Sequence, residues 1–403
     1  MNGVVVIGAG QAASSFAVKF RSLDQTTAIT IVGDEPFVPY QRPPLSKKYA
    51  TQDIGKDQLM LRPESWYEDN DVDLRTGVTV VSVDRFAKTI KLGDRDELHW
   101  DRLVFATGSR ARRLPDAVTK GLAGIHYLRS MEDADAFGDE LVEGRNVLIV
   151  GGGYIGLEAA AVCAVRGLNV TLVEASERIL QRVACAETSN WFRNLHAGHG
   201  VVFKEGVGLA NLSGEDGHLT HATLSDGTVV QADFALIGIG IIPNVELAND
   251  AGLEVEGGIV VDEFCRTNDP TVYAAGDCAA FSYNRQITRI ESVPNAIDQA
   301  NAVAINMNSE PVPYQAKPWF WSDQYDVKLQ IAGLNRGYDR VVVRAGGNTS
   351  TVSHLYYKGD ELIAVDAMNE PRVYMVSKRL LEAGKTISVE QALDHEFDLK
   401  SLL

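Results

Sequence analysis

The chain has 403 residues, 45% of them hydrophobic, and a formal net charge of −16. That length exceeds one compact core and suits two or three domains, while the acidic balance argues against nucleic acid or an anionic membrane surface as a general partner, because the overall field repels phosphates. The four cysteines, Cys163, Cys185, Cys265 and Cys278, form no C-x-x-C pair, and no His/Cys cluster has zinc-ligand spacing, so neither a disulfide framework nor a metal is expected.

The first apolar run, Val4-Val5-Val6-Ile7, begins almost at Met1, which leaves no room for a signal or transit segment and points to a cytoplasmic protein. It reads as a buried parallel strand. It feeds the turn Gly8-Ala9-Gly10-Gln11-Ala12-Ala13, after which Ala12 through Arg21 reads as a helix. In such a turn the first glycine bends the chain, the second lets the backbone approach a pyrophosphate, and a small third residue, here Ala13, admits close helix–strand packing; the pyrophosphate then rests on the helix N-terminus. The unit also needs an acid at the end of its second strand, roughly 20 residues on, for a ribose. Thr30-Ile31-Val32-Gly33 ends at Asp34 and Glu35. A polar segment follows, and the unit ends in Leu103-Val104-Phe105-Ala106-Thr107-Gly108.

The signature then recurs: Asn146-Val147-Leu148-Ile149-Val150 leads into Gly151-Gly152-Gly153-Tyr154-Ile155-Gly156, a helix continues through Leu157-Glu158-Ala159-Ala160-Ala161-Val162, and Val170-Thr171-Leu172-Val173 ends at Glu174. Glu158 and the glycine cluster break the apolar stretch that a membrane span requires. Two dinucleotide sites in one chain suggest electron transfer from one dinucleotide to the other. Phe234-Ala235-Leu236-Ile237-Gly238 closes the second unit. Thr271-Val272-Tyr273-Ala274-Ala275-Gly276-Asp277 reads as a strand returning to the first domain, with Asp277 either at a cofactor edge or capping a following helix. Beyond Pro318, alternating segments such as Val341-Val342-Val343-Arg344 predict a small antiparallel sheet with C-terminal helices.

Several longer motifs accompany these elements: Pro39-Tyr40-Gln41-Arg42-Pro43-Pro44-Leu45-Ser46-Lys47, Ala106-Thr107-Gly108, the run from Gly151 to Glu158, Gly240-Ile241-Ile242-Pro243-Asn244, Ala275-Gly276-Asp277-Cys278, Arg289-Ile290-Glu291-Ser292-Val293-Pro294-Asn295-Ala296 and Pro318-Trp319-Phe320-Trp321-Ser322-Asp323-Gln324. With them the chain resembles, from end to end, the glutathione-reductase-like flavoproteins, and within these the ferredoxin reductases of bacterial oxygenase systems.

The resemblance implies an α/β fold of two Rossmann-like dinucleotide-binding domains plus a C-terminal α+β interface domain. Its divisions are 1–109 with 241–317 for FAD, 110–240 for NAD, and 318–403 for the interface. It places Gly8, Gly10 and Ala12 at the FAD pyrophosphate and Asp34, or Glu35, at the adenosine ribose. Arg42, Lys47, Val80, Ala106, Arg129, Asp277, Val293 and Trp321 fall at further FAD positions. Gly151, Gly153, Tyr154, Ile155, Gly156, Glu158, Glu174 and Gly240 fall at NAD positions. Lys47 and Glu158 are expected to meet at the reactive edge of the flavin as the catalytic pair. Glu174 favours NADH by accepting from ribose hydroxyls and repelling the phosphate of NADPH, with Arg178 and Arg182 downstream as cations that soften the preference.

Disulfide reductases of this superfamily place redox cysteines beside the flavin, but Tyr40 to Tyr49 contains none. The electrons are therefore expected to leave singly to a [2Fe–2S] ferredoxin supplying a cytochrome P450 or a ring-hydroxylating dioxygenase. Lys47, Lys48, Arg62, Arg289, Lys317 and Arg372, together with the Trp319-Phe320-Trp321 segment, are the docking candidates. A monomer or weak homodimer is expected. Two alternatives stand beside this one: an NADH oxidase or quinone or dye reductase without a protein partner, and a slow-turnover redox-sensing flavoprotein.

Overall fold

A computed structural model of the chain describes residues 3–93, 95–348 and 350–403. The chain folds as two compact units. One comprises Met1–Gln41, Lys56–Arg110 and Ile241–Pro318, the other Arg42–Gly55, Ala111–Gly240 and Trp319–Leu403.

In the first unit, five strands form a parallel sheet in the order Val272–Ala274, Arg102–Phe105, Val4–Ile7, Ile29–Val32, Val72–Arg75. Val4–Ile7 is buried throughout, as a central parallel strand covered on both faces must be. Alternation divides its side chains. Val4 and Val6 join Phe16 and Phe20 of the helix Gln11–Leu23 and Val303 of the helix Val293–Asn308, whereas Val5 and Ile7 join Ile90 and Ile259 from two smaller three-stranded sheets, and Trp100. The strand Val272–Ala274 pairs with Arg102–Phe105, so the chain does return to this sheet. A strand, Ala279–Tyr283, follows Asp277, and the helix-cap alternative for that residue therefore falls away.

The second unit repeats the plan with a parallel sheet ordered Val202–Glu205, Asn169–Glu174, Asn146–Val150, Phe234–Ile237, Ile125–His126. It also holds a five-stranded antiparallel sheet, Trp319–Gln324, Val327–Gly333, Glu361–Met368, Val352–Lys358, Arg340–Ala345. One face of this sheet supplies Val327, Leu329, Val352 and Met368 to the core around Leu157, Ala160 and Cys163 of the helix Tyr154–Val165. Its other face supplies Leu355, Val365 and Ala367 to a core with Tyr374 and Leu380 of the helix Pro371–Glu382. The expected fold class, two Rossmann-like sheets and a C-terminal α+β region, is what the chain adopts.

By packing, Arg42–Gly55 goes with the second unit, where Ala50 enters the core beside Phe137 and Leu157. Gly138 makes room for it, since a Cβ there would lie 3.0 Å from the Ala50 carbonyl oxygen. Among the described residues no helix is long and apolar enough to cross a membrane.

Candidate functional site: two glycine turns and a buried lysine–glutamate pair

In the first unit the chain leaves Ile7 through Gly8, whose φ of +104° is a conformation that disfavours any side chain. An added Cβ there would lie 2.3 Å from the Ala106 carbonyl oxygen. On Gly10, by contrast, it would meet no protein atom within 4 Å, and the helix it caps begins with no side-chain cap. Uncapped N–H groups beside open space form the cradle that a phosphate requires, and the adenine dinucleotide FAD fits it. Ala12 is buried, and Gly276 approaches its Cβ to within 3.3 Å of where a Cβ of its own would stand. Gly276 N–H donates to the buried Gln299 Oε1 at 2.9 Å. Asp277 next to it is half-buried, accepts from Ser109 Oγ at 3.0 Å, and its carbonyl accepts from Arg289 Nη1 at 3.2 Å. At the end of Ile29–Val32, Asp34 is exposed and Glu35 half-buried, with Tyr40 donating its hydroxyl to Glu35. Val80 and Ala106 are buried, and Val293 begins the helix capped by Ser292.

The second unit repeats this construction. Gly151 has φ +109° and an added Cβ would lie 2.3 Å from the Gly238 carbonyl oxygen; on Gly153 and Gly240 a Cβ would meet nothing within 4 Å. The helix Tyr154–Val165 again lacks a side-chain cap. Tyr154 packs its ring on Phe320 at 4.9 Å, and Ile155 is exposed. Glu174 accepts from Gly152 N–H at 2.8 Å and from Ser176 N–H at 2.7 Å, which fixes the carboxylate while leaving it unused lone pairs. Arg178 is committed to the Ala184 and Cys185 carbonyls and the Ser189 hydroxyl, whereas Arg182 is exposed.

One turn into that helix lies Glu158, only 3% exposed. Lys47 Nζ reaches its Oε1 at 3.1 Å, Ser46 Oγ donates to Oε2 at 2.5 Å, and Ser322 Oγ donates to Oε1 at 2.6 Å. Burial raises the Glu158 pKa, against the pull of Lys47 and the two serine hydroxyls. Lys47 also lies 3.6 Å from the more exposed Asp323. The expected Lys47–Glu158 contact is therefore present. Arg42 donates to the Arg129 carbonyl at 2.7 Å. Trp321 is half-buried with its ring 5.6 Å from that of Trp319.

Sequence reasoning did not single out Ser46, Ser322 or Asp323 as site residues. The available signal was the alternation of Ser322 and Gln324, two polar residues on the buried face of Trp319–Gln324. The four cysteines are free and buried, and burial raises every one of their thiols, Cys163 and Cys265 up to about 12, so none is activated as a redox thiol. Among the described residues no group of three His, Cys, Asp or Glu side chains is placed to hold a metal. Of the docking candidates, Arg289 is already paired with Glu291 at 2.7 Å.

Comparison with known proteins adds a family to this geometry. Residues 2–300 match the pyridine nucleotide-disulphide oxidoreductase family and residues 319–403 the reductase C-terminal family. The rhodocoxin reductase of Rhodococcus erythropolis is 41% identical over 98% of this chain and 93% of its own. A rubredoxin-NAD(+) reductase of Pseudomonas putida is 38% identical over 92% of this chain and 96% of its own. The crystal structure of the covalent putidaredoxin reductase–putidaredoxin complex aligns with a TM-score of 0.96 and 37% identity, over 99% of this chain and 97% of the other.

Proposed function

Because the chain belongs to the ferredoxin reductases of the pyridine nucleotide-disulphide oxidoreductase family, oxidoreductases that work with FAD and NAD(P)H, we propose that it carries electrons from NADH through FAD to a [2Fe–2S] ferredoxin. That ferredoxin supplies a cytochrome P450 or a ring-hydroxylating dioxygenase in the cytoplasm. Bound FAD contributes the chemistry that side chains lack, taking up an electron pair and releasing electrons one at a time. The observation that carries the reading is the duplicated turn, each copy opening an uncapped helix onto empty space at Gly10 and Gly153.

On this reading residues 1–109 and 241–317 take FAD, 110–240 take NADH, and 318–403 form the interface region. Gly8, Gly10 and Ala12 cradle the FAD pyrophosphate, Asp34 or Glu35 the ribose, and Val80, Ala106, Asp277, Val293, Arg42, Lys47, Arg129 and Trp321 the rest of the cofactor. Gly151, Gly153, Tyr154, Ile155, Gly156 and Gly240 hold NADH. Glu158 orients the nicotinamide end and Lys47 balances its charge, so that a negative centre on the cofactor side meets a fixed cation in a dry site. Glu174, held by two backbone N–H groups, has lone pairs for ribose hydroxyls, and its charge opposes the phosphate of NADPH. With every cysteine buried, no thiol relay competes for the electrons.

Anaerobic stopped-flow absorbance tests the reading: NADH should bleach the flavin faster than NADPH, and reoxidation should require added [2Fe–2S] ferredoxin. Equal reoxidation by oxygen or quinones would replace it with an oxidase or quinone reductase. Preference for rubredoxin, the acceptor named for one relative, would change the partner while leaving the first half-reaction intact.

A further inference from the structure

Glu158 is the end of a longer chain. Ser322 Oγ, which donates to Glu158 Oε1, lies 3.1 Å from Gln324 Nε2; Gln324 Oε1 lies 2.8 Å from His196 Nε2; and His196 Nδ1 lies 3.0 Å from the Tyr325 hydroxyl. Ser322, Gln324 and His196 are at most 1% exposed. The direction of every link follows from the last. An ionised carboxylate only accepts, so Ser322 must donate to it; Ser322 then accepts from the Gln324 amide nitrogen; the Gln324 oxygen is left to accept from His196 Nε2–H; and His196 Nδ1 is left to accept from Tyr325 O–H. Four donors thus point one way, toward Glu158, and bonds so aligned strengthen one another in a medium of low polarity.

The outer end of the chain is anchored as firmly as the inner end. Tyr325 adopts φ +56° in the two-residue turn between Trp319–Gln324 and Val327–Gly333, a conformation that a bulky residue seldom takes. Its ring stacks on exposed His199 with centroids 3.7 Å apart, and its hydroxyl is on His196. Among the described residues the charged and titratable groups facing the chain are Lys47 and, beyond it, Asp323 at the carboxylate end, and His199 with Tyr325 and the buried Cys163 thiol at the other. Burial holds His196 neutral, its pKa pushed down to about 4, so one tautomer serves across the neutral range.

We propose that His196 and Gln324 are positioning residues for the reductase, holding Glu158 ionised and in one rotamer through a unidirectional hydrogen-bond chain that starts at Tyr325. The chain orients and does not conduct, because Gln324 in its middle carries an amide, which does not exchange protons in the manner of an imidazole or carboxyl. The proposal rests on the reading that Glu158 meets the nicotinamide.

The test uses the FAD-loaded protein with Gln324→Leu, His196→Phe, the conservative His196→Gln, and Tyr325→Phe, which removes one hydroxyl and leaves the core filled. The infrared carboxylic-acid C=O band of protonated Glu158, assigned by its absence in Glu158→Gln, is followed against pH alongside NAD+ affinity by calorimetry and the rate of flavin reduction by NADH. In Gln324→Leu the band should persist about one pH unit higher than in the parent, with the acid limb of the reduction rate moving by the same amount and NAD+ bound about tenfold more weakly. His196→Phe and Tyr325→Phe should give smaller shifts of the same sign, and His196→Gln should restore the parent curve. If the band and the acid limb stay in place in all four variants while the melting temperature falls, the chain is structural and the proposal fails. If the band moves but neither NAD+ affinity nor the reduction rate responds, even in Glu158→Gln, the chain stands and the placement of the nicotinamide at Glu158 is wrong.

Discussion

The two glycine turns share their first two positions and differ at the third. Gly8 and Gly151 each press against the carbonyl at the end of the neighbouring strand, and Gly10 and Gly153 each open onto empty space. At the third position the first turn has Ala13, fully buried, while a Cβ on Gly156 would lie 2.0 Å from the Gly151 carbonyl oxygen. The second helix therefore leaves no room for a side chain at this position, where the first accepts a methyl group. The difference teaches that the two turns are not interchangeable. The tolerance for alanine belongs to the spacing of one helix, and the same substitution in the other must displace the helix end that carries Glu158.

Gly156→Ala should break the comparison most visibly. It should lower the kcat/KM for NADH by about a hundredfold, as a misplacement near 1 Å of reacting groups does, with the flavin still bound. Ala13→Gly should keep both cofactors and cost only about 1 kcal/mol of stability in thermal unfolding, from helix propensity. Lys47→Met should come next. It leaves Glu158 buried without its cation, so unfolding stability at neutral pH should fall by about 3 kcal/mol and recover in part in the double variant with Glu158→Gln. Glu174→Ser should reduce the kcat/KM preference for NADH over NADPH by about tenfold, the loss of one charge-assisted hydrogen bond, with FAD content unchanged.

Acidification should act through buried groups of the second unit. In the second unit Thr188 donates to Asp366 at 2.8 Å and bonds His354 Nδ1 at 2.7 Å, and Tyr356 also donates to Asp366. Burial pushes His354 and His196 down to about 4 and Asp366 up to about 6. A histidine depressed in the fold contributes stability that is present above 6.5 and is lost as pH falls toward 4, on the order of 3 kcal/mol. The raised Asp366 acts in the opposite sense, contributing stability at low pH that is lost as pH rises through about 6. The raised Glu158 acts in the same sense as Asp366, so the test is by difference: on acidification from pH 6.5 to 4 the melting temperature of Asp366→Asn should shift downward relative to the parent, and that of His354→Gln upward.

Both turns were legible in the sequence because they are local, and glycine at those places is dictated by backbone geometry within a few residues. The strand Val4–Ile7 and its counterpart in the second unit, Asn146–Val150, were legible for the same reason, their apolar runs bounded by glycine. Lys47 and Glu158 were brought together only by resemblance, since nothing in the spacing of two distant charges says that they meet. The packing of Arg42–Gly55 in the second unit was not legible, because the segment follows the first unit without a break and its allegiance depends on a few contacts such as Ala50 over Gly138. Asp277 was ambiguous because a short apolar run after a glycine suits helix and strand alike, and the strand Ala279–Tyr283 decided it. The chain from Tyr325 to Glu158 joins two helices and a hairpin and has no local signature at all.

The division of labour between the two turns is tested most directly by the visible absorbance of Gly10→Val and Gly153→Val, each purified and then mixed anaerobically with NADH. The Gly10→Val protein should be colourless, without FAD, and the Gly153→Val protein yellow but not bleached by NADH. A Gly153→Val protein lacking flavin, or a yellow Gly10→Val protein that no longer responds to NADH, would contradict that division.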